Sequence, residues 1–178
     1  MKKFLAGVSI LFLASCGRYL SPIAPQELAP EKVKQLTATA DASGVSFAWS
    51  SSTRDVRGKK LKSLEGYRIY RKEIDPAENE ILSFDGWDQV AFIEDKHLAE
   101  LLRRQEEARA SGGIVRKVSA PDELKHFSFT DKDIKNGTIY AYRIIAVNQG
   151  GVESEDEQMV QVTYLGNDSI VDRFTLDD

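Results

Sequence analysis

Histidine and cysteine, which are common ligands of transition metals and common catalytic groups, are few in this chain of 178 residues. His97 and His126 are the only histidines, and the only cysteine, Cys16, lies far from both. Zinc sites combine histidine, cysteine and carboxylate ligands at close spacing, so the pattern predicts no such metal site. A serine nucleophile needs an oriented base, and no G-x-S-x-G sequence is present. We therefore expect a protein that is not an enzyme and has no cofactor.

The acidic residues offer one arrangement that could suit calcium, in the sequence DKDIKNG at residues 131–137. Asp131 and Asp133 occupy the first and third positions of a calcium loop. Lys135 occupies the fifth position, Asn136 replaces the glycine of the sixth, and Tyr142 replaces the closing carboxylate of the twelfth. The segment therefore favours an ordinary turn through Asn-Gly, and no metal is expected.

Cys16 is preceded by the layout of a secretory signal. Lys2 and Lys3 come before an apolar run from Phe4 to Ala14, which is shorter than the roughly 20 residues of a membrane-spanning helix. The sequence LASC at residues 13–16 resembles the bacterial lipobox, in which the cysteine is lipidated and becomes the first residue of the mature chain. The alternative is an ordinary signal peptide with a chance cysteine near its cleavage site.

The lipobox resemblance implies a location. Residues 1–15 would be removed as a lipoprotein signal peptide, and three acyl chains on Cys16 would anchor the protein at about 0.8 kcal/mol per buried methylene. Gly17 follows the cysteine where an aspartate favours retention in the inner membrane, so the resemblance implies the bacterial outer membrane. Removal of Lys2 and Lys3 changes the formal net charge from −4 to −6. An acidic body argues against nucleic acid as a partner.

After the anchor the sequence predicts a tether and then a single domain. Residues 16–30 contain three prolines and no periodic pattern, which predicts a semi-extended tether. Residues 31–164 show apolar alternation in short segments, as in GVSFAWS, where Trp49 shares a face with Phe47. The predicted strands lie at residues 33–40, 44–50, 64–73, 89–93, 127–130, 137–148 and 158–164. Seven short strands with turn signals between them indicate an all-β antiparallel sandwich.

The same landmarks resemble the fibronectin type III family. They are the opening PEKVKQLTATA, Trp49 on the second strand, GYRIYRK on the third and YAYRIIAVNQGGVES near the end. The resemblance implies an immunoglobulin-like sandwich with Trp49, Tyr67, Tyr140 and Tyr142 in its core. It also implies that Tyr140 is the tyrosine-corner residue, whose hydroxyl bonds to backbone upstream.

Two insertions lengthen the chain beyond the roughly 100 residues of such a sandwich. The larger contains KHLAELLRRQEEARASGG, which predicts a helix at about residues 95–112. Its apolar positions are Leu98, Leu101, Leu102 and Ala108, and Glu100 and Arg104 form an i,i+4 pair. We expect the leucines to pack on the sandwich, although a ridge for a partner is the alternative.

The smaller insertion, RDVRGKKLK at residues 54–62, concentrates positive charge on an acidic protein. A solvated loop is one interpretation, and a contact for phosphate, acidic glycan or lipid headgroups is the other. The candidate binding surface consists of Arg54, Arg57, Lys59, Lys60, Lys62 and, on the neighbouring strand, Tyr70.

Two function classes are compatible with these observations. The first is a membrane-anchored, non-enzymatic module of the bacterial cell envelope that binds another envelope protein or a polysaccharide. The second is a structural or accessory subunit of a larger envelope assembly, in which the C-terminal extension, residues 165–178, adds a strand or docks.

Overall fold

The structure is a computed structural model that describes residues 23–76, 85–155 and 158–175. Its strands are β1 (Lys34–Asp41), β2 (Gly44–Ser50), β3 (Gly66–Ile74), β4 (Asp88–Glu94), β5 (His126–Asp131), β6 (Thr138–Val147), β7 (Gln158–Tyr164) and β8 (Ile170–Thr175). One α-helix, α1 (His97–Ala110), lies between β4 and β5. Short 3-10 turns cover Pro25–Leu28, Val115–Lys117, Asp122–Lys125 and Gly166–Asp168. Within the described ranges, no helix has both the length and the apolar character needed to cross a membrane.

The strands form two antiparallel sheets. One has the order β1-β2-β5 and the other has the order β4-β3-β6-β7-β8. The first seven strands match the predicted segments, which confirms the antiparallel β-sandwich. The eighth strand lengthens the second sheet, because residues 170–175 turn back and pair with β7 from Thr163 to Gln158. The predicted C-terminal extension therefore contributes a strand to this sheet.

The core lies between the sheets and follows the alternation in the sequence. Trp49, Tyr67 and Tyr142 are at most 2% exposed. The Trp49 ring meets the Tyr67 ring edge-on at a centroid distance of 5.5 Å, and it stacks on Phe127 at 5.9 Å. Phe47 lies 4.8 Å from Tyr142. Aromatic side chains from both sheets thus fill the centre of the sandwich.

Two tyrosines tie the sheets together near the start of β6. The Tyr140 hydroxyl accepts a hydrogen bond from the backbone N–H of Lys135 at 3.0 Å, which is the contact that defines a tyrosine corner. The Tyr142 hydroxyl donates to the Asp131 carboxylate at 3.0 Å, and Arg71 pairs with the same oxygen at 2.9 Å. The carboxylate of Asp131 therefore has a structural role in this turn.

The helix packs on the sandwich through only part of its apolar stripe. Leu98 and Leu101 are each 9% exposed and belong to the core cluster, but Leu102 is 50% exposed. Leu102 follows Leu101 by one position, about 100° around the helix, so the two side chains cannot both face the sheet. The backbone N–H of Leu98 donates to the Asp95 carboxylate at 2.9 Å, which caps the first turn. Ion pairs hold the outer face, including Glu100 with Arg104 at 2.6 Å.

The prediction of a semi-extended tether is wrong for the described residues nearest the domain. Pro25–Leu28 form a 3-10 turn, and Ala29 and Pro30 are buried against the sandwich. Proline-rich composition predicted a spacer, but Pro30 pairs with Asp55 in an isolated β-bridge, a long-range contact that composition does not reveal. Residues 16–22, including Cys16, lie outside the described residues.

Candidate functional site

The basic insertion between β2 and β3 is a small, well-bonded hairpin. An isolated β-bridge joins Arg54 to Lys60. The Asp55 N–H donates to the Lys59 carbonyl at 2.8 Å, and the Gly58 N–H donates to the Asp55 carbonyl at 2.7 Å. Val56 and Arg57 occupy the tip of the turn, and Gly58 has φ +72, a conformation that glycine adopts without strain. The basic side chains are therefore attached to a defined backbone.

The buried side chain of Asp55 stabilises this hairpin through hydrogen bonds to its backbone. It is 4% exposed, and its carboxylate accepts the backbone N–H groups of Arg57 at 3.1 Å and Lys59 at 2.9 Å. The Arg57 guanidinium donates to the other carboxylate oxygen at 2.6 Å and 3.2 Å. The hydrogen bond from Arg57 lowers the pKa of Asp55, so the carboxylate stays ionised at neutral pH.

The segment that precedes β1 is bonded to the same hairpin. The Val56 N–H donates to the Ala29 carbonyl at 3.0 Å, and the Glu31 N–H donates to the Arg54 carbonyl at 2.9 Å. The Asn148 side chain donates to the Leu28 carbonyl at 3.1 Å and fixes the turn after β6 by accepting the N–H groups of Gly150 and Val152. Three chain segments thus meet at one end of the sandwich.

A concave site of about 310 Å³ lies where these segments meet, and we call it the basic groove. Leu61, 6% exposed, belongs to its floor and connects it to the sandwich core. Its lining residues are Ile23, Leu28, Asp55, Arg57, Lys59, Lys60, Leu61, Lys62, Ser63 and Asn148. Four of the six residues predicted as a binding surface therefore line one groove.

The charges around the groove are predominantly positive. Lys59, Lys60 and Lys62 are exposed, and no carboxylate among the described residues lies within ion-pairing distance of them. Asp55 is already paired with Arg57 at 2.6 Å. Arg54 belongs to the same hairpin, but its guanidinium donates to the Gly58 carbonyl at 2.5 Å and it does not line the groove. The groove can therefore attract an anionic group by Coulomb interaction and hydrogen bonds from ammonium groups.

Tyr70 is the predicted residue that the structure places elsewhere. It lies on the outer face of β3, where its hydroxyl donates to Glu153 at 3.0 Å, and Glu153 also pairs with Arg68 at 2.6 Å. The structure thus does not bring Tyr70 into the basic groove. The prediction grouped it with the loop because β3 follows the loop in sequence, but alternation along the strand directs the side chain to the sheet face.

The same sheet face carries an arrangement that the sequence analysis missed. The guanidinium of Arg143 lies over the Tyr70 ring at 4.8 Å and over the Trp87 ring at 4.5 Å. Alternation along β6 could have placed Arg143 on this outer face, because Tyr140, Tyr142 and Ile144 point inward. Trp87 lies just before β4, outside any periodic pattern, so the sequence contains no signal for its position.

A buried polar network lies between the hairpin and the helix. The Tyr67 hydroxyl donates to Ser51 at 3.2 Å, and Ser51 donates to the Asp95 carboxylate at 3.3 Å. Burial raises the pKa of Asp95 and lowers the pKa of His97. Ser51 contacts Asp95 directly, without an imidazole between them, and both are at most 5% exposed. The network therefore has the geometry of a structural link and lacks the order of a catalytic triad.

No group of three metal-ligating side chains occurs in the ranges 23–76, 85–155 and 158–175. The oxygens of Asp131 are used by Arg71, Tyr142 and the N–H of Asp133 at 3.1 Å. The DKDIKNG segment forms the turn between β5 and β6, as its Asn-Gly pair indicates.

Comparisons of the sequence with known proteins found no relative of this chain. No protein-family model matches the chain, and no curated protein matches it. Among solved structures, the kinase region of twitchin from C. elegans is similar at 16% identity and a TM-score of 0.38, and it covers 79% of this chain. Astrotactin-2, a vertebrate-specific and perforin-like membrane protein, is similar at 16% identity and a TM-score of 0.44 over 77% of this chain. This chain spans only 17% and 23% of the lengths of those two chains.

A single domain is also among the similar structures. The third fibronectin III domain of human KIAA0343 protein covers 85% of this chain, and 95% of that domain is matched, with 11% identity and a TM-score of 0.42. The class of protein that the strand order and the core define is an immunoglobulin-like sandwich with one helical insertion and a basic groove at one end.

Proposed function

We propose that this protein is a lipid-anchored, non-enzymatic interaction module of the bacterial cell envelope. The observation that carries the proposal is the pairing of a lipobox-like LASC sequence with a sandwich whose first described residue, Ile23, lies beside an exposed basic groove. Such an arrangement holds a binding surface close to a membrane. The partner is another envelope component, and the outer membrane is the favoured location because Gly17 follows Cys16.

The chemistry of the described residues supports a binding role. The buried carboxylates of the described residues are committed to structure: Asp131 bonds Tyr142 and Arg71, Asp95 caps helix α1, and Asp55 holds the hairpin. The groove offers cations and an apolar floor, which suits recognition of an anion.

Metabolic labelling with a palmitate analogue tests the anchor. The wild-type chain should incorporate the label, and Cys16→Ala should lose it, because the thiol is the acylation site. Ser15→Ala is the matched control, since it keeps a small residue before the cysteine and should remain labelled. An unlabelled wild-type chain would refute the anchor.

A second candidate function, an accessory subunit of an envelope assembly, is favoured by β8. This strand ends the five-stranded sheet, so its outer edge presents backbone N–H and C=O groups to which another chain could add a strand. Chemical cross-linking in intact cells followed by purification separates the two functions. A single partner at fixed stoichiometry that survives detergent favours the subunit, and several substoichiometric partners favour the module.

A further inference from the structure

The basic groove lies at the end of the sandwich where the chain leads back toward Cys16. Ile23 lines the groove together with Lys59 and Lys60. Only seven residue steps separate Ile23 from Cys16 in the sequence. Seven residues span at most about 25 Å even when fully extended. An acylated Cys16 therefore holds the groove within about 25 Å of the leaflet, since a chain of that length reaches no farther.

The opposite end of the sandwich is much farther from the anchor. Strand β6 runs from Thr138 at that far end to Val147, next to the groove residue Asn148. Ten residues of antiparallel strand cover about 30 Å, which is several times the Debye length of about 8 Å at physiological ionic strength. The far end includes the turns at residues 41–44, 131–138 and 164–169, and it exposes Lys132 and Lys135. Charges at the two ends therefore act on a membrane independently.

The groove end combines cations with exposed apolar side chains. Ile23, which lines the groove, is 49% exposed, and Val56 at the hairpin tip, which lines the neighbouring concave site with Lys34, Glu31 and Glu155, is 42% exposed. Lysine ammonium groups on long apolar stems can reach phosphates while neighbouring apolar side chains enter the interfacial region. This composition is typical of a surface that lies on an anionic membrane.

The acidic residues near the groove do not cancel its charge. Asp55 is paired with Arg57 at 2.6 Å, and Glu31 is paired with Lys34 at 2.9 Å. Asp41 lies in the turn at the far end. Between residues 23 and 65 this leaves Glu27 and Glu65 against three groove cations, Lys59, Lys60 and Lys62, that are unpaired among the described residues. The basic end thus stays positive on a protein whose overall charge is negative.

We propose that the basic groove binds the phosphate headgroups of anionic phospholipids in the leaflet that holds the Cys16 anchor. This contact orients the sandwich with its far end away from the membrane. The inference rests on the proposed lipid anchor and adds to it a second, electrostatic contact. Acyl chains and a basic patch acting together are a combination that gives stable membrane association.

A dye at the hairpin tip tests the contact in the full acylated protein. The protein is purified from membranes and reconstituted in phosphatidylcholine vesicles with or without about 30% phosphatidylglycerol. Val56→Cys carries a polarity-sensitive dye, and Lys132→Cys is the matched far-end control. The thioether consumes the Cys16 thiol, so only the introduced cysteine is labelled. We expect a blue shift of the Val56 dye in phosphatidylglycerol vesicles, none for the Lys132 dye, and loss of the shift at about 0.5 M salt.

Paired charge reversals separate local contact from overall charge. In the Val56→Cys background, Lys60→Glu with Lys62→Glu removes two groove cations, and Lys132→Glu with Lys135→Glu makes the same change in net charge at the far end. Each cation near an anionic surface contributes roughly a fivefold factor, so the groove pair should weaken the contact by about 25-fold or more. The far-end pair should leave the shift unchanged. Circular dichroism and urea unfolding check that both variants fold.

The outcomes distinguish the groove from the anchor. Equal shifts in both kinds of vesicle, equal losses in both variant pairs, or a shift that requires an added acidic polysaccharide would overturn the phospholipid proposal. Failure of the anchor is seen separately, as a chain without acyl groups that sediments with neither kind of vesicle. If the chain is acylated but the emission of the Val56 dye is the same with and without phosphatidylglycerol, the groove proposal alone is refuted.

Discussion

Substituting the two tyrosines at the start of β6 by phenylalanine should affect stability to different degrees. Tyr142→Phe removes a hydrogen bond between a fully buried hydroxyl and the Asp131 carboxylate, which is itself 4% exposed. Bonds to a charged group contribute about 1.5–3 kcal/mol. Tyr140→Phe removes the bond from the Lys135 N–H, and Lys135 is exposed, so water can replace the lost partner. That loss should be about 1 kcal/mol.

Equilibrium unfolding in urea measures this difference. With a slope of about 2 kcal/mol per molar urea, Tyr142→Phe should lower the midpoint by about 1 M and Tyr140→Phe by about 0.5 M, with unchanged slopes. Tyr70→Phe is the control for exposure: it also removes a bond to a carboxylate, Glu153, but that side chain is 36% exposed and water can replace the bond, so stability should change by less than about 0.5 kcal/mol. If Tyr140→Phe is the more destabilising variant, or if both are neutral, the assignment of the Asp131 contact as the stronger bond is refuted.

Three further predictions concern the core, the helix end and the hairpin. Trp49→Ala should cost about 3–5 kcal/mol, because it removes an indole that packs on Tyr67 and Phe127, and urea unfolding measures it. Burial lowers the pKa of His97, so the folded state binds a proton less readily than the unfolded state. The contribution of the neutral imidazole to the free energy of unfolding is therefore present above its ordinary pKa of about 6.5 and is lost as the pH falls through the lowered value. Wild type should therefore lose stability relative to His97→Gln between about pH 7 and pH 5 in thermal melts. Asp55→Ala should lower the urea midpoint more than Asp55→Asn, because the amide oxygen can still accept the N–H groups of Arg57 and Lys59.

Each of these predictions has its own contrary result. A Trp49→Ala variant as stable as wild type would show that the Trp49 indole does not contribute to core packing. Parallel pH profiles for wild type and His97→Gln would mean that the neighbouring carboxylates, Asp95 and Asp122, offset the effects of burial and of the nearby Lys125 and Lys60 on the imidazole. Equal midpoints for Asp55→Ala and Asp55→Asn would show that the two backbone bonds do not hold the hairpin.

Local pattern explains most of what the sequence predicted about the fold. Strand β2 alternates large apolar residues with small or polar ones, and β6 repeats Tyr140, Tyr142 and Ile144 at every second position, so the positions and inner faces of both strands could be predicted. The end of helix α1 was also predictable, because Gly112 follows a run of helix-forming residues. In the structure Gly112 has φ +72, the left-handed conformation that commonly ends a helix.

Long-range contacts account for what the sequence did not predict. The docking of Ala29 and Pro30 depends on the bridge from Pro30 to Asp55, 25 positions later. The stack of Arg143 between Tyr70 and Trp87 joins three segments of the second sheet. The basic groove was partly predictable, because its cations are adjacent in sequence, but Ile23 and Asn148 reach it only through the fold.

The most direct test of the central claim is the intact mass of the mature protein purified from bacterial membranes. We expect a chain that begins at Cys16 and carries a diacylglyceryl group and one further acyl chain. A mature chain without acyl groups, whether it begins at Met1 or at any residue after Cys16, would contradict the proposal that this sandwich is held at a membrane by lipid.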